Sequence, residues 1–146
     1  MRKVTSGVFT CDNNLLEFEI NEVYATPAEL INFEITIDNN EENWTSYDSQ
    51  GYENSLITGK GYSINATMKR VVGDPCQEYL VEKAFKKGQD ARGKVRTTLA
   101  NGLTITDTMN IKLNNIGAAG EATSVAELEV ECTHAAGVPN VSQATE

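Results

Sequence analysis

Apolar and polar residues alternate with a period of two along most of this chain. Leu16, Phe18 and Ile20 alternate with Glu17 and Glu19, and Ile31, Phe33, Ile35 and Ile37 alternate with Asn32, Glu34 and Thr36. Tyr62, Ile64, Ala66 and Met68 are interleaved with Ser63, Asn65, Thr67 and Lys69. Leu103, Ile105, Met109, Ile111 and Leu113 share one parity, broken only by Asp107. Leu128, Val130 and Cys132 alternate with Glu127, Glu129 and Glu131. Successive side chains of a strand point to opposite faces, so this pattern predicts antiparallel strands with one face on a core and the other wet. Asn101-Gly102 tolerates the positive φ of a type I′ turn and predicts a tight hairpin joining 94–100 to 103–113.

One segment changes period. Gly73-Asp74-Pro75 precedes CQEYLVEKAFKKG, in which Cys76, Leu80 and Ala84, with Val81 and Phe85, recur at helical spacing. Asp74 suits the N-cap, Pro75 the first helical position, and Gln77 the return bond of a capping box. Lys86 and Lys87 favour the negative end of the dipole, and Gly88 stops the helix. The spacing predicts a helix near 75–87, lying on a sheet through its Leu80–Phe85 face. Residues 38–61 are polar around Trp44, Tyr47 and Tyr52, and predict a long loop that packs against something. Residues 134–146 are small and polar, and predict a loose C-terminal tail. The expectation is therefore a single domain over 1–146, mainly antiparallel β with one packed helix.

Length supports that picture, since 146 residues bury roughly 70% of the unfolded chain's surface. No run approaches the roughly 20 apolar residues of a membrane span, and MRKVTSGVFTCDNN lacks the apolar core of a secretory signal, so a cytoplasmic start is expected. Cys11, Cys76 and Cys132 are odd in number and far apart, which predicts free, buried fillers rather than disulfides or a zinc site. The asparagine sequons at Asn43, Asn65 and Asn140 carry no meaning without secretion. The net charge of −9 is segregated: acids crowd 1–54 and 117–146, bases crowd 55–116, and 117–146 has no Lys or Arg. A self-associating subunit needs such opposite-sign surfaces.

Catalytic patterns are missing. The one histidine, His134, shares a strand face with Cys132, but positions two apart lie nearly ~7 Å from each other, too far for a thiol–imidazole pair. No nucleophile elbow, phosphate-binding loop or metalloprotease motif occurs. The acidic run Asp38–Asp48 lacks the glycine and the final Glu of a calcium loop. Lys83, Lys86, Lys87, Arg92, Lys94 and Arg96 are not interleaved with aromatics, and the chain is acidic, so nucleic-acid binding is disfavoured. No enzyme, metal, cofactor or membrane partner is expected.

Three pieces, in order, resemble the major tail protein, or tail-tube protein, family of long-tailed bacteriophages. The first is ENWTSYDSQGYENS leading into LITGKGYSINATMKRVVGDP. The second is the helix ending in KKG, then a strand, Asn-Gly, and LTITDTMNIKLNNIG. The third is GEATSVAELEVECTHAAGVPNV. The resemblance covers roughly three quarters of the chain and implies an antiparallel β-sandwich or half-barrel with one packed α-helix, in six-subunit rings whose strands close a barrel, stacked into a tube around a lumen that passes DNA. It also implies tape-measure, terminator or sheath proteins as partners, assembly in a bacterial cytoplasm, and a place in the virion tail. A tube that conducts DNA without binding it needs an acidic wall. The candidates for that wall are Glu17, Glu19, Glu34, Glu127, Glu129 and Glu131. Candidates for contacts between subunits or rings are Glu41, Glu42, Trp44, Tyr47 and Tyr52 in the 38–61 loop, and the basic stretch Lys83, Lys86, Lys87, Arg92, Lys94 and Arg96. The inner tube of a contractile tail or bacteriocin fits equally well. A monomeric β-sandwich binding a ligand or carbohydrate, and a hydrolase with an unrecognised site, are the readings from other classes.

Overall fold

The computed structural model describes residues 7–143. Eight strands alternate with short connections: β1 (Leu15–Ile20), β2 (Val23–Ala25), β3 (Leu30–Trp44), β4 (Asn54–Lys69), β5 (Arg92–Thr98), β6 (Leu103–Ile116), β7 (Glu127–His134) and β8 (Asn140–Gln143). One helix, α1 (Pro75–Glu82), separates β4 from β5. All pairings are antiparallel, in the order β2-β1-β5-β6-β7-β4-β3, with β8 paired to β6 over Leu103–Thr106 in line with the end of β7. Leu15 and Leu16 of β1 and Leu30–Phe33 of β3, close to opposite ends of that order, line one cleft. The sheet is thus curled into a half-barrel, as the resemblance implies.

Register aligns the apolar positions into rows. Ile111, Cys132, Ile64 and Ile35 face one another across four strands, as do Leu113, Val130, Ala66 and Phe33, and Ile116, Leu128, Met68 and Leu30. Leu16, Phe18 and Val95 extend the same buried face, and Leu80 and Cys76 of α1 cover it. A slip of one residue would turn every one of these side chains to water, so the core fixes the register.

The helix begins as its sequence demands: the Asp74 carboxylate accepts from the Gln77 N–H at 3.1 Å, and Pro75 is the first helical residue. It is shorter than expected. The α-helix ends at Glu82, a 3-10 turn covers Lys83–Phe85, and Lys86 is already extended. Phe85 is exposed, so the contact face runs through Cys76, Gln77 and Leu80 instead of Leu80–Phe85. Gln77 does not form a capping box. Its side chain, fully buried, donates to Ala28 O (2.9 Å) and Lys69 O (2.8 Å) and accepts from the Val71 N–H (2.7 Å). Local capping loses to three half-buried backbone groups that the side chain pairs at once.

Gly93 of β5 lies beneath the helix. A Cβ there would stand 2.6 Å from Tyr79 Oη and 2.8 Å from Ile111 Cδ1. Gly93→Ala is expected to cost about 2 kcal/mol through overpacking, read as a lowered thermal midpoint; an unchanged midpoint would contradict this packing.

The Asn-Gly hairpin is present, joining β5 to β6, but its turn is not type I′. Gly102 donates to Leu99 O at 2.9 Å and is left-handed (φ 91°), Asn101 is not, and the Leu99 N–H donates to Leu103 O. That is a turn followed by a glycine bulge, the form used when the loop is one residue longer. Two larger expectations fail. Residues 38–61 are not a loop: Asp38–Trp44 pairs with Asn54–Gly61 as the outer part of the β3–β4 hairpin. Mid-chain polarity reflects strands wet on both faces, which carry no alternation to read. The segment from His134 is not a loose tail through Gln143, because β8 pairs with β6; residues 144–146 lie outside the described residues.

Candidate functional site

The hairpin β3–β4 leaves the body of the sheet. β4 pairs with β7 only over Ser63–Lys69, so from Asp38↔Gly61 to Trp44↔Asn54 the two strands have no third neighbour. At about 3.3 Å per residue this arm projects roughly 20 Å. A register shift between Asn40 and Glu41 bulges Thr58 and adds twist. The tip is ordered by its own bonds: Ser46 and Ser49 form a reciprocal cap over the turn Tyr47–Ser49, and Gln50 and Gly51 are left-handed. Trp44, Tyr47, Tyr52, Leu56 and Ile57 are all exposed on the arm, together with Glu41 and Glu42, which pair across from Ile57 and Leu56. An isolated two-stranded ribbon is marginal in water, and these apolar side chains gain nothing there. Of the arm's aromatic side chains, Tyr47 lines a shallow depression at the tip with Thr45, Ser46 and Gly51.

Register also decides the opposite face of the sheet. Glu17 stands across from Arg96, and Arg96 from Thr106. On the same parity of β6, Lys112 leads to Glu131, Asn65 and Glu34, and Asn115 leads to Glu129, Thr67 and Asn32. Glu127 faces Lys69, and Glu19 lies two residues from Glu17. All six acids therefore share the face turned away from the core. They are not equal. Arg96 bonds Glu17 at 2.9 Å while its guanidinium stacks 4.1 Å above the Tyr24 ring, and Lys69 bonds Glu127 at 2.8 Å. Half-exposed pairs of this kind are worth about 1 kcal/mol or less, but they cancel local charge. Glu34 and Glu129 are exposed, so the negative field concentrates on β3 and β7.

The basic stretch is divided. Arg92, Lys94 and Arg96 lie on β5 and face Asn110, Thr108 and Thr106, which puts them on the same face as the acids, not on a surface with the helix end. Lys83 braces the chain after α1: its ammonium donates to Asp90 O (2.9 Å) and Arg92 O (3.0 Å) and sits 5.2 Å from the Tyr79 ring. Lys86 and Lys87 are exposed beyond the helix. Lys83, Lys86, Arg92 and Lys112 come together along a cleft between residues 83–92 and β6.

Little here is poised for catalysis. Burial pushes the thiols of Cys76 and Cys132 up to about 12, which keeps them protonated and inert. Cys11 is exposed, contrary to the expectation that all three are fillers. His134 turns away from Cys132. It bonds the Asp107 carboxylate and the Gly137 carbonyl, and the Tyr62 hydroxyl donates to the same carboxylate at 2.8 Å. This trio and Gln77 are the polar groups that sequence reasoning missed; Asp107, the one break in an apolar parity, was the available signal. Among the described residues no group of three or more His, Cys, Asp or Glu is placed to hold a metal ion, and no helix is long and apolar enough to cross a membrane.

The half-barrel has close counterparts among solved structures. A chain in the virion of a native gene transfer agent particle superposes with a TM-score of 0.73 at 16% identity, over 92% of this chain and 99% of that one. A chain in the tail of the empty gene transfer agent particle, of C6 symmetry, gives 0.72 at 16% identity, over 94% and 100%. This chain has a tail-tube-like fold. A chain of the anti-feeding prophage cap, which terminates that particle's tube, shares the fold more distantly, with a TM-score of 0.57 at 10% identity over 97% and 95%. No family model matches the sequence, and no curated protein is similar enough to match it. The tail-tube-like fold is thus carried by backbone arrangement and not by sequence identity.

Proposed function

We propose that this chain is a structural, non-enzymatic subunit of a phage or phage-like tail tube, which associates with copies of itself into stacked six-membered rings. The observation that carries the reading is the arm: a roughly 20 Å two-stranded projection tipped with Trp44, Tyr47 and Tyr52 that pairs with no third strand among the described residues. A tail-tube-like fold supports it, and so does the C6 symmetry of a particle that contains a like-folded chain. In the assembled tube the arm reaches a neighbouring ring. Its acids, Glu41 and Glu42, favour the cleft bearing Lys83, Lys86, Arg92 and Lys112 on the sister subunit. Lys87 is exposed beside that cleft, whereas Lys94 and Arg96 lie on the acid-bearing face and take no part in the contact. The free edges of β2 and β3 are closed by neighbours within the ring, which removes unpaired strand edges.

The face carrying Glu34, Glu129 and Glu131, with Glu17, Glu19 and Glu127 beside it, lines the lumen and repels DNA phosphates during passage. The partners are other tail proteins, whether tape measure, terminator or sheath, and the tail of the particle is the location. The inner tube of a contractile tail or a bacteriocin is the same reading with a different outer layer.

Negative-stain microscopy of the concentrated protein tests the assembly: rings or tubes are expected, and a persistent monomer at every concentration would end the proposal. For the lumen, the triple variant Glu34→Lys, Glu129→Lys, Glu131→Lys is expected to form tubes but to deliver DNA at least about tenfold less efficiently, because it offers phosphate contacts around the wall. Undiminished delivery would refute the acidic lumen while leaving the tube intact.

A further inference from the structure

His134 closes β7 on the apolar face of the sheet, beyond the cover of α1. Its Nδ1 bonds the Asp107 carboxylate and its Nε2 lies 2.8 Å from Gly137 O. Both partners are acceptors only. A neutral imidazole has one N–H and one lone pair, so it cannot satisfy both; the imidazolium, with two N–H groups, can. The geometry is therefore that of the charged form. The groups around it favour this. From β6 comes Asp107, whose side chain is nearly buried, and from β4 comes Tyr62, which donates to the same carboxylate at 2.8 Å and stacks on the imidazole at 6.1 Å between centroids. Lys60 of β4 lines the same groove, but its ammonium is held by Asn39 Oδ1 at 2.8 Å. Ile35 and Ile37 of β3 and Pro139 and Val141 of the C-terminal segment carry no charge, and Cys132 on β7 is a protonated thiol.

Gly137 is the point where the chain turns back toward β8. β8 is a strand of four residues, exposed throughout, and its register sets Val141 against Ile105. Its far end is tied by the Gln143 side chain donating to Asn101 O at 2.6 Å. At the near end His134 adds its bond to Gly137 O to the pairing of Asn140 with Thr106. We propose that His134 is a protonation-operated latch that holds the segment Gly137–Gln143 against β6 and over the apolar groove of Ile35, Ile37, Tyr62 and Ile105.

The choice of which bond breaks on deprotonation is forced. Asp107 is the more buried partner and would be left with Tyr62 alone, whereas the Gly137 carbonyl can turn to water. Neutral His134 thus keeps its Nδ1–H on Asp107 and turns a lone pair toward Gly137 O, which repels it. The bond to Asp107 raises the His134 pKa above its ordinary 6.5. The latch is accordingly shut below about 6.5, where both free and folded imidazole are charged, and opens as pH rises through the raised folded value. Opening frees the backbone of Leu103–Thr106 and the Ile105 side chain for another strand.

The chain holds a single histidine, so its ring signals are unambiguous. Two-dimensional 1H–15N spectra of the unassembled protein should show both ring nitrogens protonated at pH 6 and a titration midpoint above that of free histidine. Hydrogen exchange, corrected for the intrinsic rate, should show protection of Asn140–Gln143 falling about tenfold across that midpoint, the effect of losing one hydrogen bond to a charged group. His134→Gln should hold that protection, at every pH, at the level the wild type shows above its midpoint, and so remove the pH dependence. A midpoint at or below 6.5, or protection of β8 that ignores the midpoint, would overturn the latch; the wild-type titration decides this even if the variant fails to fold.

Discussion

Gln77→Ala is expected to lower the stability of the subunit by about 4 kcal/mol, a large share of the roughly 5–15 kcal/mol that holds a domain of this kind together. The side chain uses both N–H groups and its carbonyl on three backbone groups from three places: Ala28 in the connection before β3, Lys69 at the end of β4, and Val71 before the helix. Truncation leaves those groups half-buried without partners, at about 1–3 kcal/mol each, with some relief if water enters the cavity. Gln77→Glu should be about as damaging, since a carboxylate cannot donate to two carbonyls. Glu29 O accepts from the Lys69 N–H at 3.0 Å and Asp74 Oδ2 from the Ala28 N–H at 3.2 Å, so the same knot fixes the root of the β3–β4 hairpin. Urea titration gives the number directly; a loss under about 1 kcal/mol for either variant would show that the knot is not what anchors this corner.

Removing the arm should have the opposite profile: no loss of fold and total loss of assembly. Asn40 and Gly59 are cross-strand partners, so residues 41–58 can be replaced by Asn-Gly to close a two-residue hairpin at that level. None of the deleted residues belongs to the buried core, and the stability of the monomer is expected to stay within about 1 kcal/mol. Tubes should not form at any concentration. Tubes from the shortened chain would show that rings stack without the arm. A shortened chain that unfolds would show instead that the arm is part of the domain's own stability, against its exposure.

Much of the body was legible because burial on one face leaves a period-two trace. β1, β4, β6 and β7 are where alternation placed them; bulges at Ile31 and Asn114 then switch parity, so Leu30 and Ile116 join the buried rows while Ile31 is exposed. The start of α1 was equally readable, since Asp74 and Pro75 act through neighbours a few residues away. The arm was not, because strands with water on both sides need no alternation, and polar residues around Trp44 read as loop. The helix end was misplaced for a related reason: Phe85 continues the helical spacing, but no core lies beneath it, and the chain tightens into a 3-10 turn. The acids share a face because their parity was right, while their neutralisation by Arg96 and Lys69 depends on partners far along the chain.

The sequence by itself determined a β-rich domain with one capped helix, an Asn-Gly hairpin, and a face of glutamates opposite a face of aliphatic side chains, because each of these is settled by periods and caps within a few residues. Only the tertiary structure decided that residues 38–61 stand out as an arm, that Gln77 ties three segments together, and that Asp107 and His134 meet. Those facts rest on strand order, and strand order is set by which distant apolar faces bury best against each other.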